Sequence, residues 1–551
     1  MISTVASPHP ARSRPAFTLP RISAGAIAAG LIVASSVASL LYIWLWCPFD
    51  LAPDEAHYWD WSRHLDYSYY SKGPLVAWLI RGSCEFLGSL SVAVTGNLAA
   101  AVRTPAVLCH AAILAGWYVI AAGVFRSQRL GLIVIACGSL LPVMRAGAVL
   151  MTIDPPFLAC WCWALVSVWK ALDRERVAWW CAAAVFVCFG TLAKYTMLLF
   201  PAAVVGYLLF HRRSEFRKPG VWLFLSGAVL GWVPVLVWNA RHEWVSFRHV
   251  LGQVGAGQSN GGGIRWDGAA GLLMGQFGMM FAFAMVAFLA AAVRFRPTRE
   301  RDPGVRLLWW VSVPVWCVFA VTSFLKPGQP NWPAPAYIGG LVLAVAWTRE
   351  RLDRPNARWV RLAVAFSVVS AVAVVVCLHF PGLVRPIVGE LAGQPTEARP
   401  FPARRFDFTT RLWGWQELAA TVDDCRTRVQ ATGEEPVIAG THWTLPGQLG
   451  FWCHAHPDVY AIGIANGSDR HSQYDLWRPN PIANAQAFLG RTFVIVGDIG
   501  PEVIQAFKWC EPPIRVVHAG YGVPIAGWSV WVCHGFRGFA LESRPSAGSR
   551  Y

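Results

Sequence analysis

Long apolar runs alternate with short polar clusters along the chain. The apolar stretches lie near 24–46, 101–124, 130–150, 152–171, 177–193, 195–210, 221–240, 269–293, 306–325, 332–348 and 358–380. Several approach the ~20 residues that a helix needs to cross a bilayer, where only helices and closed barrels pair every backbone polar group. The pattern predicts a polytopic α-helical membrane protein with about eleven transmembrane helices, although 195–210 is short and 177–210 can be divided differently. Every second loop is basic. Arg126 and Arg129 come first, then Lys170, Arg174 and Arg176, then Arg212, Arg213, Arg217 and Lys218. Arg294, Arg296, Arg299, Arg301 and Arg306 follow, and then Arg349, Arg351, Arg354, Arg358 and Arg361. The positive-inside rule assigns these loops and the tail 1–23 to the cytoplasm, and the alternate loops to the outside. The tail carries Arg12, Arg14 and Arg21. The run after it shows no clear small-residue cleavage site, so it reads as a first span rather than a signal peptide.

After about residue 385 the pattern becomes that of a mixed α/β domain. Short β-like runs at 436–439, 492–496 and 528–532 alternate with predicted helices at 413–430 and 501–509. Residues 385–551 thus read as a small extracytoplasmic domain, joined through a Pro-bearing linker at 390–405 to a transmembrane domain at 24–384. The first external loop, 47–100, predicts an amphipathic helix. Asp54 follows Pro53 as a helix start, and positions 54, 58, 61 and 65 share one face. Such a helix lies in the membrane interface and holds its acidic residue at head-group level.

Composition narrows the class further. Of 551 residues 55% are hydrophobic and 14% charged, against about 25% charged in a soluble domain. Disordered, collagenous, coiled-coil and small disulfide-scaffold classes are excluded. The net charge of +16 sits in short clusters between apolar runs, so it reads as topological and not as a nucleic-acid surface. Ten of the fourteen cysteines lie at or before Cys377, mostly in apolar runs as small buried thiols. Cys425, Cys453, Cys510 and Cys533 fall in the external domain, where two disulfides in three connectivities are possible. A zinc site is the competing reading, but no CxxC or HxxxH spacing supports it.

Candidate chemistry gathers at outer span ends. Asp54 and Glu55 open the first loop, followed by Lys72 within Tyr69-Tyr70-Ser71-Lys72-Gly73-Pro74-Leu75. Asp154 lies in Met151-Thr152-Ile153-Asp154-Pro155-Pro156, Lys194 in Leu192-Ala193-Lys194-Tyr195-Thr196, and Arg241 and His242 after Trp238-Asn239-Ala240. Lys326 and Asn331 lie in Lys326-Pro327-Gly328-Gln329-Pro330-Asn331-Trp332-Pro333-Ala334-Pro335-Ala336-Tyr337. In the derived topology these groups can converge on one cavity. An acidic pair can serve only a helix N-terminus, and a lysine at a span end can merely snorkel. Three lysines on the side that charge bias leaves poor in cations argue for more. Tyr58 and its aromatic neighbours read either as an interfacial belt or as a sugar platform.

These segments resemble the bacterial membrane glycosyltransferases of the dolichyl-phosphate-mannose-protein mannosyltransferase-like group, a branch of the GT-C fold that includes aminoarabinose transferases acting on lipid A. The resemblance runs from about 40 to 350, with weaker phrases at Gly414-Trp415-Gln416-Glu417-Leu418 and Gln473-Tyr474-Asp475-Leu476-Trp477. It implies a GT-C transmembrane domain in a bacterial inner membrane. The aminoarabinose branch has Glu immediately before the lysine matching Lys72, whereas this chain has Ser71. The divalent-metal contact associated with that Glu therefore loses its carboxylate, and no cofactor is expected with certainty.

Outside the cytoplasm there are no nucleotide sugars, and no phosphate-cradling Gly-rich loop is present. The expected donor is a sugar on a polyprenyl phosphate, and the acceptor an envelope lipid, glycan or protein. Transfer needs a base for the acceptor proton and cations for the departing phosphate. Asp54 is the expected base, Glu55 its orienting or acceptor-binding neighbour, and Asp154 a second carboxylate. Lys72, Lys194 and Lys326 would hold the phosphate, with Tyr58, Arg241, His242 and Asn331 as further substrate contacts. The alternative is a transporter or flippase of lipid-linked sugars, which should show related halves meeting at the membrane midplane. No such repeat is evident.

Overall fold

A computed structural model describes residues 23–253, 265–467 and 470–540. Most of the tail 1–23 lies outside the described residues. The bundle begins with α1 (Ala24–Leu41), extended by one π-helical turn, then α2 (Pro53–Arg63), α3 (Leu75–Thr95), α4 (Ala99–Val124), α5 (Gln128–Leu140) and α6 (Pro142–Gly147). It continues with α7 (Asp154–Arg174), α8 (Val177–Ala193), α9 (Leu199–His211), α10 (Pro219–Arg241), α11 (Val245–Gln253), α12 (Trp266–Met280) and α13 (Ala282–Arg294). Then come α14 (Pro303–Trp310), α15 (Val313–Thr322), α16 (Ala336–Leu352), α17 (Arg358–His379) and α18 (Arg385–Ala392). Among the described residues seven helices, or eight with one bent pair, are long and apolar enough to cross a membrane. On α17, Leu362, Phe366 and Val369 are exposed, an arrangement that suits lipid and not water. The chain is a multi-pass membrane protein.

Several expected spans are interrupted. The stretch 130–150 breaks at Leu141, which is extended (φ −68°, ψ 128°) ahead of Pro142, because the proline ring disfavours helical backbone in the residue before it. The stretch 269–293 is not one straight helix: α12 and α13 meet at 109° around Phe281, whose φ of 61° cannot continue a right-handed helix. The α16 helix begins only at Ala336, after the proline-rich segment 326–335.

Helix α3 is a 21-residue apolar helix within the stretch read as the first loop. Ser83 Oγ donates to the Ala101 carbonyl at 2.6 Å and Ser91 Oγ to the Asn97 carbonyl at 2.7 Å. In an antiparallel hairpin Ser83 would face α4 two or three turns further on. The α3 helix therefore crosses the start of α4 instead of running down its length.

The basic loops meet at the opposite end of the bundle, where Arg294 pairs with Glu350 at 3.0 Å and Arg349 Nη1 donates to Ser127 Oγ at 3.0 Å. There too, Tyr207 donates to the Pro303 carbonyl at 3.3 Å. The lysine and carboxylate motifs occupy the other end.

On that end sits a mixed region with α19 (Trp415–Gln430), α20 (Thr444–Trp452) and α21 (Pro501–Gln505). Its six strands are β1 (Val437–Gly440), β2 (Val459–Ala461), β3 (Phe493–Val496), β4 (Trp509–Cys510), β5 (Ile514–Gly520) and β6 (Val523–His534). The sheet order is β2-β1-β3-β6-β4, with β5 also on β6. The β1 strand runs parallel to β2 and β3, Val437 opposite Phe493, while β3 and β6 are antiparallel. Every residue of β1 and β3 is buried, the pattern of strands covered on both faces. The expected helix 501–509 stops at Gln505, and the 390–405 linker is partly structured, with Ala403 fully buried.

Cys510 and Cys533 are directly opposed on β4 and β6 and form a disulfide, whereas Cys425 and Cys453 are buried free thiols. Non-reducing peptide mapping of protein isolated without reductant should recover Cys510 and Cys533 as one linked pair, with Cys425 and Cys453 alkylated only after unfolding. A Cys425–Cys453 link would contradict this arrangement.

Candidate active site

Helix α2 begins with Pro53 at its first position, and the Glu55 carboxylate accepts the Ala52 N–H at 2.9 Å. The same carboxylate takes Arg103 Nη2 at 2.9 Å, Arg103 Nε at 3.1 Å and the Met151 N–H at 2.9 Å. The two side chains are 0% and 2% exposed. Glu55 therefore has no exposed atom to offer an acceptor. It ties α2 to α4 and to the strand of chain leading into α7. The helix is also not the surface helix expected: Glu55 through Ser62 are all buried, and Tyr58 and Trp61 are packed inside and do not form an exposed belt.

The cover comes from the mixed region. Gln448 Nε2 donates to the Leu51 carbonyl at 2.7 Å, and Trp59 packs edge-on to Phe451 at 4.9 Å. A Cβ on Gly447 would lie 2.8 Å from the His57 nitrogen, so only glycine lets α20 rest on α2. The two family-like phrases are part of this clamp. Asp50 accepts from the Trp415 N–H at 2.9 Å and from Gln416 at 2.7 Å, while Gln473 accepts the Tyr70 N–H at 2.7 Å and Tyr474 meets His57 at 3.2 Å.

One residue before Glu55, and about 100° round the helix, Asp54 is exposed and makes no hydrogen bond or ion pair with any described residue. It opens into a recess enclosed by protein. Desolvation by the protein around that recess raises its pKa, Asp154 and Glu55 add to the rise, and Lys72 and Arg470 oppose it.

Asp154 stands at the first position of α7, where Oδ1 accepts Lys194 Nζ at 2.7 Å and Oδ2 accepts Asn331 Nδ2 at 2.6 Å. Lys194 follows α8 in extended backbone (φ −152°, ψ 128°). Lys72 reaches the same place because Gly73 lies against the last turn of α8: a Cβ there would be 2.1 Å from the Leu192 carbonyl oxygen. The Lys72 ammonium has no hydrogen bond or ion pair with a described residue. Burial and then Lys194 lower its pKa to about 8, against the pull of Asp54 and Asp154. Lys326 donates to the Gly252 carbonyl at 2.6 Å.

The structure thus gathers Asp54, Tyr58, Lys72, Asp154, Lys194 and Asn331, with Lys326 beside His249. Arg241 and His242 are not brought in. Arg241 is exposed, and His242 stacks on Trp238 with centroids 4.0 Å apart. The chain leaves α10 through Glu243 and Trp244 in left-handed backbone, and it is His249 of α11 that faces the site.

His249 Nε2 meets Arg470 Nη1 at 3.2 Å, and Arg470 lies over Trp443 at 5.2 Å. Arg470 was missed by the sequence reading, although it stands three residues before the Gln473-Tyr474 phrase. Its charge acts on Asp54, Tyr58 and Lys72. Ser71 brings no carboxylate, and among the described residues no three His, Cys, Asp or Glu form a metal-binding group.

Residues 71–238 match the family model described as dolichyl-phosphate-mannose-protein mannosyltransferase. The lipid A galacturonosyltransferase RgtD of Rhizobium johnstonii is 26% identical over 297 residues, 54% of this chain and 60% of that protein. ArnT from Cupriavidus metallidurans, in a crystal structure bound to undecaprenyl phosphate, superposes with a TM-score of 0.60 at 15% identity, over 92% of this chain and 97% of ArnT. The chain has the GT-C fold. Apo ArnT gives a TM-score of 0.55 at 15% identity, over 93% of this chain and 98% of ArnT. This GT-C chain is related to those glycosyltransferases, and its match spans about three-fifths of the length of RgtD.

Replacing Glu55 by Gln leaves Arg103 buried without its counter-charge, a change that costs roughly 3–5 kcal/mol in comparable buried pairs. Glu55→Gln should therefore lower the unfolding midpoint in detergent by several degrees. A midpoint equal to wild type would show that the pair does not hold α2.

Proposed function

We propose that the chain is a glycosyltransferase that moves a sugar from a polyprenyl phosphate to an envelope lipid on the outer face of a bacterial inner membrane. The observation that carries this reading is an unpaired carboxylate, Asp54, and an unpaired ammonium, Lys72, acting on one another in the same recess. The relatives named above support the donor and the lipid acceptor by analogy.

Contacts between α2 and α20 require an even number of crossings between them. Ten crossings from α4 to α17, with the broken pairs counted once each and α3 lying across the surface, meet that condition. With α1 they make eleven, an odd number that sets the N-terminus and the sheet region on opposite sides, and the basic loops support a cytoplasmic N-terminus with the sheet region outside.

In the reaction the acceptor oxygen attacks the anomeric carbon while the bond from that carbon to the phosphate oxygen breaks. Asp54 takes the acceptor proton. Lys72 and Lys194, with Lys326 and Arg470 behind them, hold the phosphate as its negative charge grows. Asp154 and Asn331 orient Lys194, and Tyr58 forms the wall beside Asp54. Glu55 acts as a positioning residue through Arg103. Attack opposite the phosphate inverts the anomeric centre.

Asp54→Asn keeps the shape and removes the base, so sugar transfer by purified protein in detergent should fall by about 10²–10⁴-fold. Donor binding should persist. Full transfer by the Asn variant would overturn the role of Asp54, and no transfer by wild type with any lipid-linked donor would favour transport.

The pH profile follows from the two shifted groups. Asp54 must be ionised, and its raised pKa moves the acid limb of kcat/KM above the usual carboxylate range, with activity rising as pH rises through it. Lys72 must be protonated, and its pKa of about 8 makes donor binding weaken as pH rises through that value. Lys72→Arg should shift only the alkaline limb upward. A profile whose alkaline limb is unmoved by Lys72→Arg would contradict the assignment.

A further inference from the structure

Beyond Asp154 and Asn331 a second cavity of about 690 Å³ extends between α4, α6, α12 and α17. Its lining is largely apolar, with Ile113, Val149, Leu158 and Val374 among the walls. Three basic side chains interrupt that lining: His110 of α4, Arg145 of α6 and His379 at the end of α17. Arg145 lies within electrostatic reach of both imidazoles.

Arg145 Nε, His110 Nε2 and His379 Nε2 are each buried without a hydrogen-bond partner, and His110 is 2% exposed. Arg145 has one long contact, Nη1 to Ser35 Oγ at 3.4 Å. Among the described residues no carboxylate lies within ion-pair distance of it. A buried cation at membrane depth without a counter-charge is costly, and such residues ordinarily pair or mark a ligand path. The apolar walls suit a lipid chain, and the guanidinium suits a phosphate or carboxylate, which it can grip with two parallel bonds.

We propose that this cavity takes the acceptor as an anionic lipid, Arg145 holding its phosphate or carboxylate and His110 and His379 taking neighbouring oxygens. The site is separate from the lysines that hold the donor phosphate, and Asp154 and Asn331 stand where the two regions meet. Naming the occupant as acceptor rests on the glycosyl-transfer reading; the anion site itself does not.

The test is therefore a binding measurement without turnover. Purified full-length protein in neutral detergent is titrated with a fluorescent phosphatidic acid, with and without saturating undecaprenyl phosphate, and with a matched phosphatidylcholine as control. Phosphatidic acid should bind more tightly than phosphatidylcholine and should stay bound when undecaprenyl phosphate saturates its own site. Arg145→Gln should weaken phosphatidic acid binding by about 10-fold or more, Arg145→Lys should restore part of it, and Lys72→Ala should weaken undecaprenyl phosphate binding alone. Displacement from wild type by undecaprenyl phosphate would assign the cavity to the donor and overturn the proposal. So would equal binding of the two phospholipids, a reading that does not depend on any variant folding. Absence of sugar transfer with this binding intact would count against the glycosyl-transfer reading and leave the anion site standing.

Discussion

The buried ion pair between Glu55 and Arg103 is the constraint on which the site depends. Two charges removed from water are tolerated only when each has its full set of partners. Here the carboxylate also accepts the Ala52 and Met151 N–H groups, and Arg103 Nη2 and Nη1 donate to the carbonyls of Asp50 and Phe49 at 2.8 and 3.1 Å. One residue thereby joins the start of α2, the first turns of α4 and the approach to α7. With that rotation of α2 fixed, Asp54 has one direction left to face. The cavity carboxylate is aimed by its neighbour.

The second requirement is that cations from distant parts of the chain share a small volume without collapsing onto the carboxylates. The arrangement solves this by pairing selectively. Lys194 is neutralised by Asp154 and steadied by Asn331 across it, Lys326 is held on a backbone carbonyl, and Arg470 reaches in from the sheet region beside His249. Asp54 and Lys72 are left without direct partners. The unpaired charges are then the groups available to an incoming hydroxyl and phosphate, and the paired ones shape the field around them.

The sequence was most legible where a single physical rule dominates. Apolar length found the long helices, and alternate basic loops found the end at which Arg294, Glu350, Ser127 and Arg349 meet. Lys72, Asp154, Lys194 and Asn331 were recoverable because each sits in a short polar motif at a helix end. What failed depended on contacts between distant segments. The periodicity of α2 suggested an interfacial helix, but α20 covers its other face at Gly447, which no local pattern reveals. Glu55 was read as orienting Asp54 or binding the acceptor because its partner Arg103 lies 48 residues away in sequence. Arg241 and His242 stand where two left-handed residues turn the chain toward His249, a turn that no local pattern announces. Arg470 is set in the site by tertiary packing alone.

The claim at the centre of this account is that Lys72, with Lys194, holds the donor phosphate in the recess into which Asp54 opens. A cryo-EM map of the protein in nanodiscs with undecaprenyl phosphate tests it most directly. The account predicts phosphate density in contact with the ammonium groups of Lys72 and Lys194, on the side of the recess into which Asp54 opens. Phosphate density held at Arg145, or at the basic loops of the opposite end, with the Lys72 recess empty would contradict it.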